Sequence, residues 1–141
     1  MILCDVNVLI NAFRSGAEDP PRYKAWLEAV LNGPAAYGVA PQVLATGVPI
    51  CTHRRIFSPP SSLNDAFDFC RVILGQPNAT VMVPIERHWS LFESLCRDCE
   101  STGNIAQDAW FAALAIESGC EWVTTDRDYA RFKELTWRPA F

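Results

Sequence analysis

The chain has 141 residues, half of them hydrophobic and a fifth charged, with a formal net charge of −4. This length suits one domain with a real core and is too short for two comfortable ones, and the composition excludes a disordered or fibrous chain. The negative balance excludes a whole-molecule positive field for gathering phosphates, so any nucleic-acid contact must be local.

Taken in chain order, MILC is a short apolar run followed at once by Asp5, the pattern of a strand buried on both faces of a parallel sheet. VNVLINAF continues as a short helix. After the polar loop RSGAEDPP, the segment PRYKAWLEAVLNG repeats Tyr23, Trp26, Leu27, Val30 and Leu31 at helical spacing and stops at Gly33. YGVA is a second strand. PQVLATGVPICTH opens on a proline, as helices often do, and carries Pro49 where a kink or early end is expected.

HRRIFSPPSSL is a basic, then Pro- and Ser-rich loop, and Ser62 or Asn64 caps the following helix, which ends at Gly75. ATVMVP, rich in β-branched residues, reads as a third strand, followed by the helix ERHWSLFESLCRDCEST. An alanine-rich helix then ends at Gly119. CEWVTT is a fourth strand, and LTWRPAF supplies a short edge strand. This alternation predicts an α/β fold: a three-layer α/β/α sandwich around a central, mainly parallel sheet of four or five strands, spanning residues 1–141 as one domain.

Six cysteines are scattered through apolar segments and no signal peptide precedes them, so reduced thiols in a cytoplasmic protein are expected. Cys96 and Cys99 form a CxxC pair without a second pair at finger spacing. They share helical spacing with Phe92 and Leu95, which turns both sulfurs toward the core rather than toward zinc. No apolar run reaches the roughly 18 residues of a membrane span. The five tryptophans fall mostly at core-like positions, which favours packing over base stacking.

Two strand exits are acidic. Asp5 follows the first strand and Asp126 the fourth, and ligands of a parallel sheet collect at that edge, outside the carboxyl ends of the strands. Asp108 lies near the start of the alanine-rich helix, where alone it would read as a charge complementing the helix dipole. Three carboxylates brought together repel one another unless a cation neutralises them, and hard oxygen donors suit Mg²⁺, with Mn²⁺ as a substitute. Phosphodiester hydrolysis is the natural chemistry for such a site.

DVNVLINAF, GNIAQDAWFAALAIESG and WVTTDRDYARF, in this order, resemble the PIN-domain ribonucleases, specifically the VapC toxins of bacterial type II toxin–antitoxin pairs. The resemblance spans nearly the whole chain. It implies an Mg²⁺-dependent endoribonuclease, a homodimer, and a cognate VapB-type antitoxin that lies across the acidic groove. Asp5, Asp108 and Asp126 match the catalytic, metal-binding positions; Asn7, Thr125 and Asp128 match supporting polar positions. One position departs: Thr46 stands where many such proteins carry a glutamate, leaving three core acids, with Glu18, Asp19 or Glu86 as spatial substitutes.

Arg54, Arg55 and Arg127 are candidate RNA contacts, with Arg131 beside the last acids, while His53 is a weak candidate for a general base. The alternative to cleavage is a weakened PIN-like protein that binds RNA or antitoxin without cutting efficiently. An aspartyl-phosphate enzyme is the third possibility, but a DxD phosphatase needs an acid where Asn7 stands, and a receiver needs one ending the third strand.

Overall fold

A computed structural model describes residues 1–14 and 19–141. The elements run β1 (Ile2–Cys4), α1 (Val6–Phe13), α2 (Pro20–Asn32), β2 (Tyr37–Val39), α3 (Pro41–Cys51), α4 (Leu63–Leu74), β3 (Ala79–Val81), α5 (His88–Asp98), α6 (Asn104–Ser118), β4 (Glu121–Val123), a short 3₁₀ helix (Arg127–Arg131) and β5 (Trp137–Arg138). The strands form one sheet in the order β3-β2-β1-β4-β5, and every pairing is parallel. The expected α/β sheet, including its short last strand, is therefore present. α1 to α4 form one packed series, and α5 packs against α6.

The strand order carries the functional geometry. From β1 the chain moves outward through β2 to β3, then returns so that β4 lies on the other side of β1. The crevice where the direction reverses is the usual ligand position of an open parallel sheet. Register aligns Cys4 with Val123, so the residues that follow leave the sheet side by side, and the Asp5 N–H donates to the Val123 carbonyl at 2.8 Å.

Local chemistry sets the helix ends. Ser62 caps α4 by accepting the Asp65 N–H at 3.0 Å, while Asn64 lies inside the helix. Gly119 closes α6 at φ 67°, a left-handed conformation that favours glycine. α3 passes through Pro49 and ends two residues later at Cys51, so the expected interruption takes the form of an early end. The loop before α5 is tied to α6 by the Glu117 carboxylate, which accepts the Ile85 and Arg87 N–H groups at 3.0 and 2.8 Å.

The core centres on α6, whose Ala109, Ala112, Ala113 and Ala115 are fully buried together with Phe111 and Leu114. Trp122 is fully buried, stacked on Phe111 at 5.9 Å, and Trp26, Trp110 and Trp137 pack at the core's margin. Trp89 is the exception to the packing expectation at 64% exposure, because its ring lies outside Phe92 and Trp110. Cys96 and Cys99 pack against the core as expected of small hydrophobes. No helix among the described residues is long and apolar enough to cross a membrane.

Because α6 is buried nearly all round, added volume there has nowhere to go. Ala113→Leu is expected to lower stability by about 1–3 kcal/mol through overpacking, measured as a reduced midpoint of urea unfolding at unchanged slope.

Candidate active site

Asp5 is the N-cap of α1, and its position between strand and helix decides its environment. Oδ1 accepts the Val6 N–H at 2.6 Å, while Oδ2 accepts the Asn7 side-chain amide at 2.9 Å and the Thr124 hydroxyl at 2.6 Å. Only 4% of the residue is exposed. Burial pushes its carboxyl up to about 6, with Asp108 and Asp126 adding repulsion, although the Thr124 and Val6 hydrogen bonds oppose the rise.

Thr124 is the hub of the crevice. Its hydroxyl proton goes to Asp5, and its oxygen accepts the Asn7 amide at 3.2 Å and the Asp126 N–H at 3.0 Å. Asn7 completes the stitch by accepting the Thr125 N–H at 3.2 Å. Thr125, expected as a supporting residue, is exposed and supplies its backbone N–H to the network, while the hydroxyl that reaches Asp5 is that of Thr124. The missed signal was register: continuing the Cys4–Val123 alignment by one step sets Thr124 beside Asp5.

Asp126 caps the 3₁₀ helix by accepting the Asp128 N–H at 2.8 Å. Asp108 stands on α6 in its second turn, beyond the first turn where a helix dipole acts, so the dipole reading does not account for it. Its carboxyl is raised by burial first and then by Asp126, while Arg131 and the neighbouring Tyr129 hydroxyl pull it down. Tyr129 was also missed. It is buried against Trp122 and Phe132, and burial and then the charges of Asp5, Asp108 and Asp126 push its hydroxyl upward. A buried tyrosine in an otherwise apolar position needs a polar neighbour for its hydroxyl, which was the available sequence clue.

The fold thus brings Asp5, Asp108 and Asp126 within reach of one another's charge. Among the described residues no group of three His, Cys, Asp or Glu side chains stands in an arrangement that could hold a metal ion.

The other expected residues among those described make no hydrogen bond to the three acids. Thr46 turns its hydroxyl back to the Gln42 carbonyl of its own helix at 2.9 Å. Asp19 and Glu86 are exposed and absent from the charges that shift Asp5 or Asp108, and Glu18 lies outside the described residues. Arg54 and Arg55 are exposed beyond the far end of α3. Their loop is pinned to Arg14, whose guanidinium donates to Ser61 and Pro59 at 2.8 and 2.7 Å, at the opposite end of α1 from Asp5, about 12 Å along the helix. Arg127 is exposed on the 3₁₀ helix. His53 accepts the Arg55 N–H in that same remote loop.

The PIN domain model matches residues 2–135. The chain belongs to the PIN-domain family. Ribonuclease VapC43 of Mycobacterium tuberculosis is 38% identical over 138 residues, covering 98% of this chain and 94% of that protein. Ribonuclease VapC25 of the same organism is 36% identical over 135 residues, covering 96% and 95%. In structure, this PIN domain is similar to VapBC2 of Rickettsia felis, solved bound to a promoter DNA fragment, with a TM-score of 0.70 at 18% identity, covering 99% of this chain and 98% of that one. It is also similar to M. tuberculosis VapC20, described as a Sarcin-Ricin loop cleaving toxin, with a TM-score of 0.67 at 16% identity, covering 99% and 100%.

Asn7 answers the aspartyl-phosphate reading. Its amide donates to both Asp5 and Thr124, and an aspartate there would instead set a second carboxylate against Asp5.

Two consequences follow for the metal-free PIN domain. Folding raises the Asp5 carboxyl from 3.8 to about 6, so the folded state holds the proton more tightly and loses stability as pH rises through that window. At about 1.36 kcal/mol per unit the loss is about 3 kcal/mol. In chelator, the stability of Asp5→Asn relative to wild type should therefore improve by about 3 kcal/mol between pH ~3.5 and pH ~7.5, read from urea unfolding at each pH. Thr124→Val, which keeps the shape but removes one hydrogen bond each from Asp5, Asn7 and the Asp126 N–H, should cost about 1–3 kcal/mol in the same assay.

Proposed function

We propose that this chain, acting as one domain, is the toxin of a type II toxin–antitoxin pair and hydrolyses RNA phosphodiester bonds as an Mg²⁺-dependent endoribonuclease. The observation that carries the reading is the meeting of Asp5 and Asp126 through the Thr124 hydroxyl at the switch point between β1 and β4, with Asp108 close enough for its charge to act on Asp5. Full-length similarity to proteins named ribonucleases supports cleavage over the alternative of a non-cutting binder.

The donor set fits a hard divalent ion. The acids offer only oxygen, burial first and then the neighbouring carboxylates raise Asp5 and Asp108, and among the described residues Arg131 is the one cation that eases Asp108. Asp5, Asp108 and Asp126 would hold Mg²⁺, or Mn²⁺ in its place. When bound, the ion supplies a Lewis acid that makes a water nucleophilic at neutral pH and offsets charge on the phosphoryl oxygens.

The chain's own residues prepare that site. Thr124 and Asn7 fix the Asp5 carboxylate in one orientation, so no reorganisation is needed when charge develops. Asp126 is fixed through its backbone by the same hydroxyl. Because the Asp5 carboxyl is raised to about 6, ion binding competes with a proton there and weakens as pH falls toward that value. Neither histidine serves the cluster: His88 is buried against Trp110 near Glu117, and His53 lies in the remote loop.

The relatives in structure include VapBC complexes of toxin with antitoxin, which supports a VapB-type antitoxin as partner. A homodimer in the cytoplasm completes the proposal.

Total RNA incubated with purified protein and Mg²⁺ or Mn²⁺ should be cut, and Asp108→Ala should reduce the rate by at least about 10²-fold. Thr46→Glu, which restores an acid on α3, should lower the Mg²⁺ needed for half-maximal cleavage by about tenfold. Undiminished cleavage by Asp108→Ala would sink the assignment.

A further inference from the structure

The fold sorts the arginines around the acidic and basic stretches. Arg54 and Arg55 stand beyond α3, and Arg127 is exposed at the start of the 3₁₀ helix. Arg131, the last residue of that helix, is held by Asp128, whose own N–H donates to the Asp126 carboxylate at 2.8 Å. Its Nε–H donates to the Asp128 carbonyl at 2.9 Å, and its Nη2 lies 3.4 Å from the Asp128 carboxylate. From the other side, the Cys99 thiol donates to the Arg131 carbonyl at 3.4 Å, tying this point to the end of α5. The side chain is only 30% exposed, while its partner Asp128 is 71% exposed, so the guanidinium is the inward member of the pair.

Two features argue for more than a surface ion pair. The charge of Arg131 reaches Asp108, and it is the only cation that does so among the described residues. Asp128 also grips the guanidinium through both a carbonyl and a carboxylate, and Nη1 makes no hydrogen bond among the described residues. A guanidinium presents five N–H groups in a planar fork matched to phosphate oxygens, so a fork fixed at one edge still offers donors at the other.

Charge balance gives those donors a use. Three carboxylates and one divalent ion leave a residual negative charge, which repels an arriving phosphodiester. We propose that Arg131 is a substrate-binding residue whose guanidinium, held in place by Asp128, takes a phosphate oxygen of RNA beside the Asp5, Asp108 and Asp126 cluster. Asp128 is then a positioning residue that acts through Arg131. The inference rests on the ribonuclease reading and gives the second aspartate of DRD a task distinct from metal binding.

The test is steady-state cleavage of a short single-stranded RNA by wild type, Arg131→Gln, Arg131→Lys and Asp128→Asn at several salt concentrations, with Mg²⁺ binding to each free protein measured by calorimetry. Arg131→Gln should raise KM about tenfold or more and flatten the dependence of log KM on log salt by about 0.7, the share of one phosphate contact on a single strand. Its Mg²⁺ affinity should hold or improve, since a positive charge has left the cluster. Arg131→Lys should recover the salt slope but only part of KM, because it keeps the charge and loses the fork. Asp128→Asn should raise KM by a smaller factor at unchanged kcat.

An unchanged KM and salt slope in Arg131→Gln would overturn the proposal. So would a parallel loss of Mg²⁺ affinity in both Arg131 variants, which would make Arg131 a support for the acids. If wild type cuts no RNA, the ribonuclease reading fails instead; anisotropy with the same labelled RNA then judges Arg131 by the same slope.

Discussion

The hydrogen bond from the Thr124 hydroxyl to Asp5 is the contact on which the site depends. It joins the ends of β1 and β4, two segments separated by almost the whole chain, and it exists because parallel pairing aligns Cys4 with Val123. One hydroxyl serves three groups there: it donates to Asp5 and accepts from Asn7 and from the Asp126 backbone. Its single proton and both lone pairs are committed, so the geometry of two acids follows from one side chain that is itself fully buried.

Around that contact the protein holds an unfavourable arrangement. Asp5 loses solvation with other carboxylates nearby, and the hydrogen bonds from Thr124 and Val6 offset only part of the cost. Such local conflict is expected where a fold is shaped for chemistry rather than for stability alone. The surrounding structure carries it: α6 buries its own alanines with Phe111 and Leu114 in the core, and Trp122, Tyr129 and Phe132 pack ring against ring beside it. The site's rigidity is therefore a property of the core beneath it.

The same geometry separates residues that look alike in sequence. Thr46, Thr124 and Thr125 are all threonines near the expected site. The first bonds back into its own helix, the second organises the acids, and the third offers only its backbone. The arginines divide in the same way: two lie a helix length from the crevice, and one is fastened to Asp128 with its charge reaching Asp108. A charge acts within about a Debye length in water, so distance from the crevice decides which of these groups can influence a bound phosphate.

Much of the architecture was legible in the residues because it rests on local rules. Alternating apolar strands and amphipathic helices, Ser62 as a cap and Gly119 as a stop depend on short-range patterning, and Asp5 and Asp126 stood out because Asp5 follows a buried strand directly and Asp126 comes three residues after the end of another. What the sequence by itself determined was thus the fold class and the identity of the acids at the strand ends. Only the tertiary structure decided the hydrogen-bonding hub at Thr124, the neighbourhood of Tyr129, the retreat of Thr46 into its helix and the inward turn of Arg131. Each of these depends on register and on the direction of a side chain across elements distant in sequence, which local propensity does not encode.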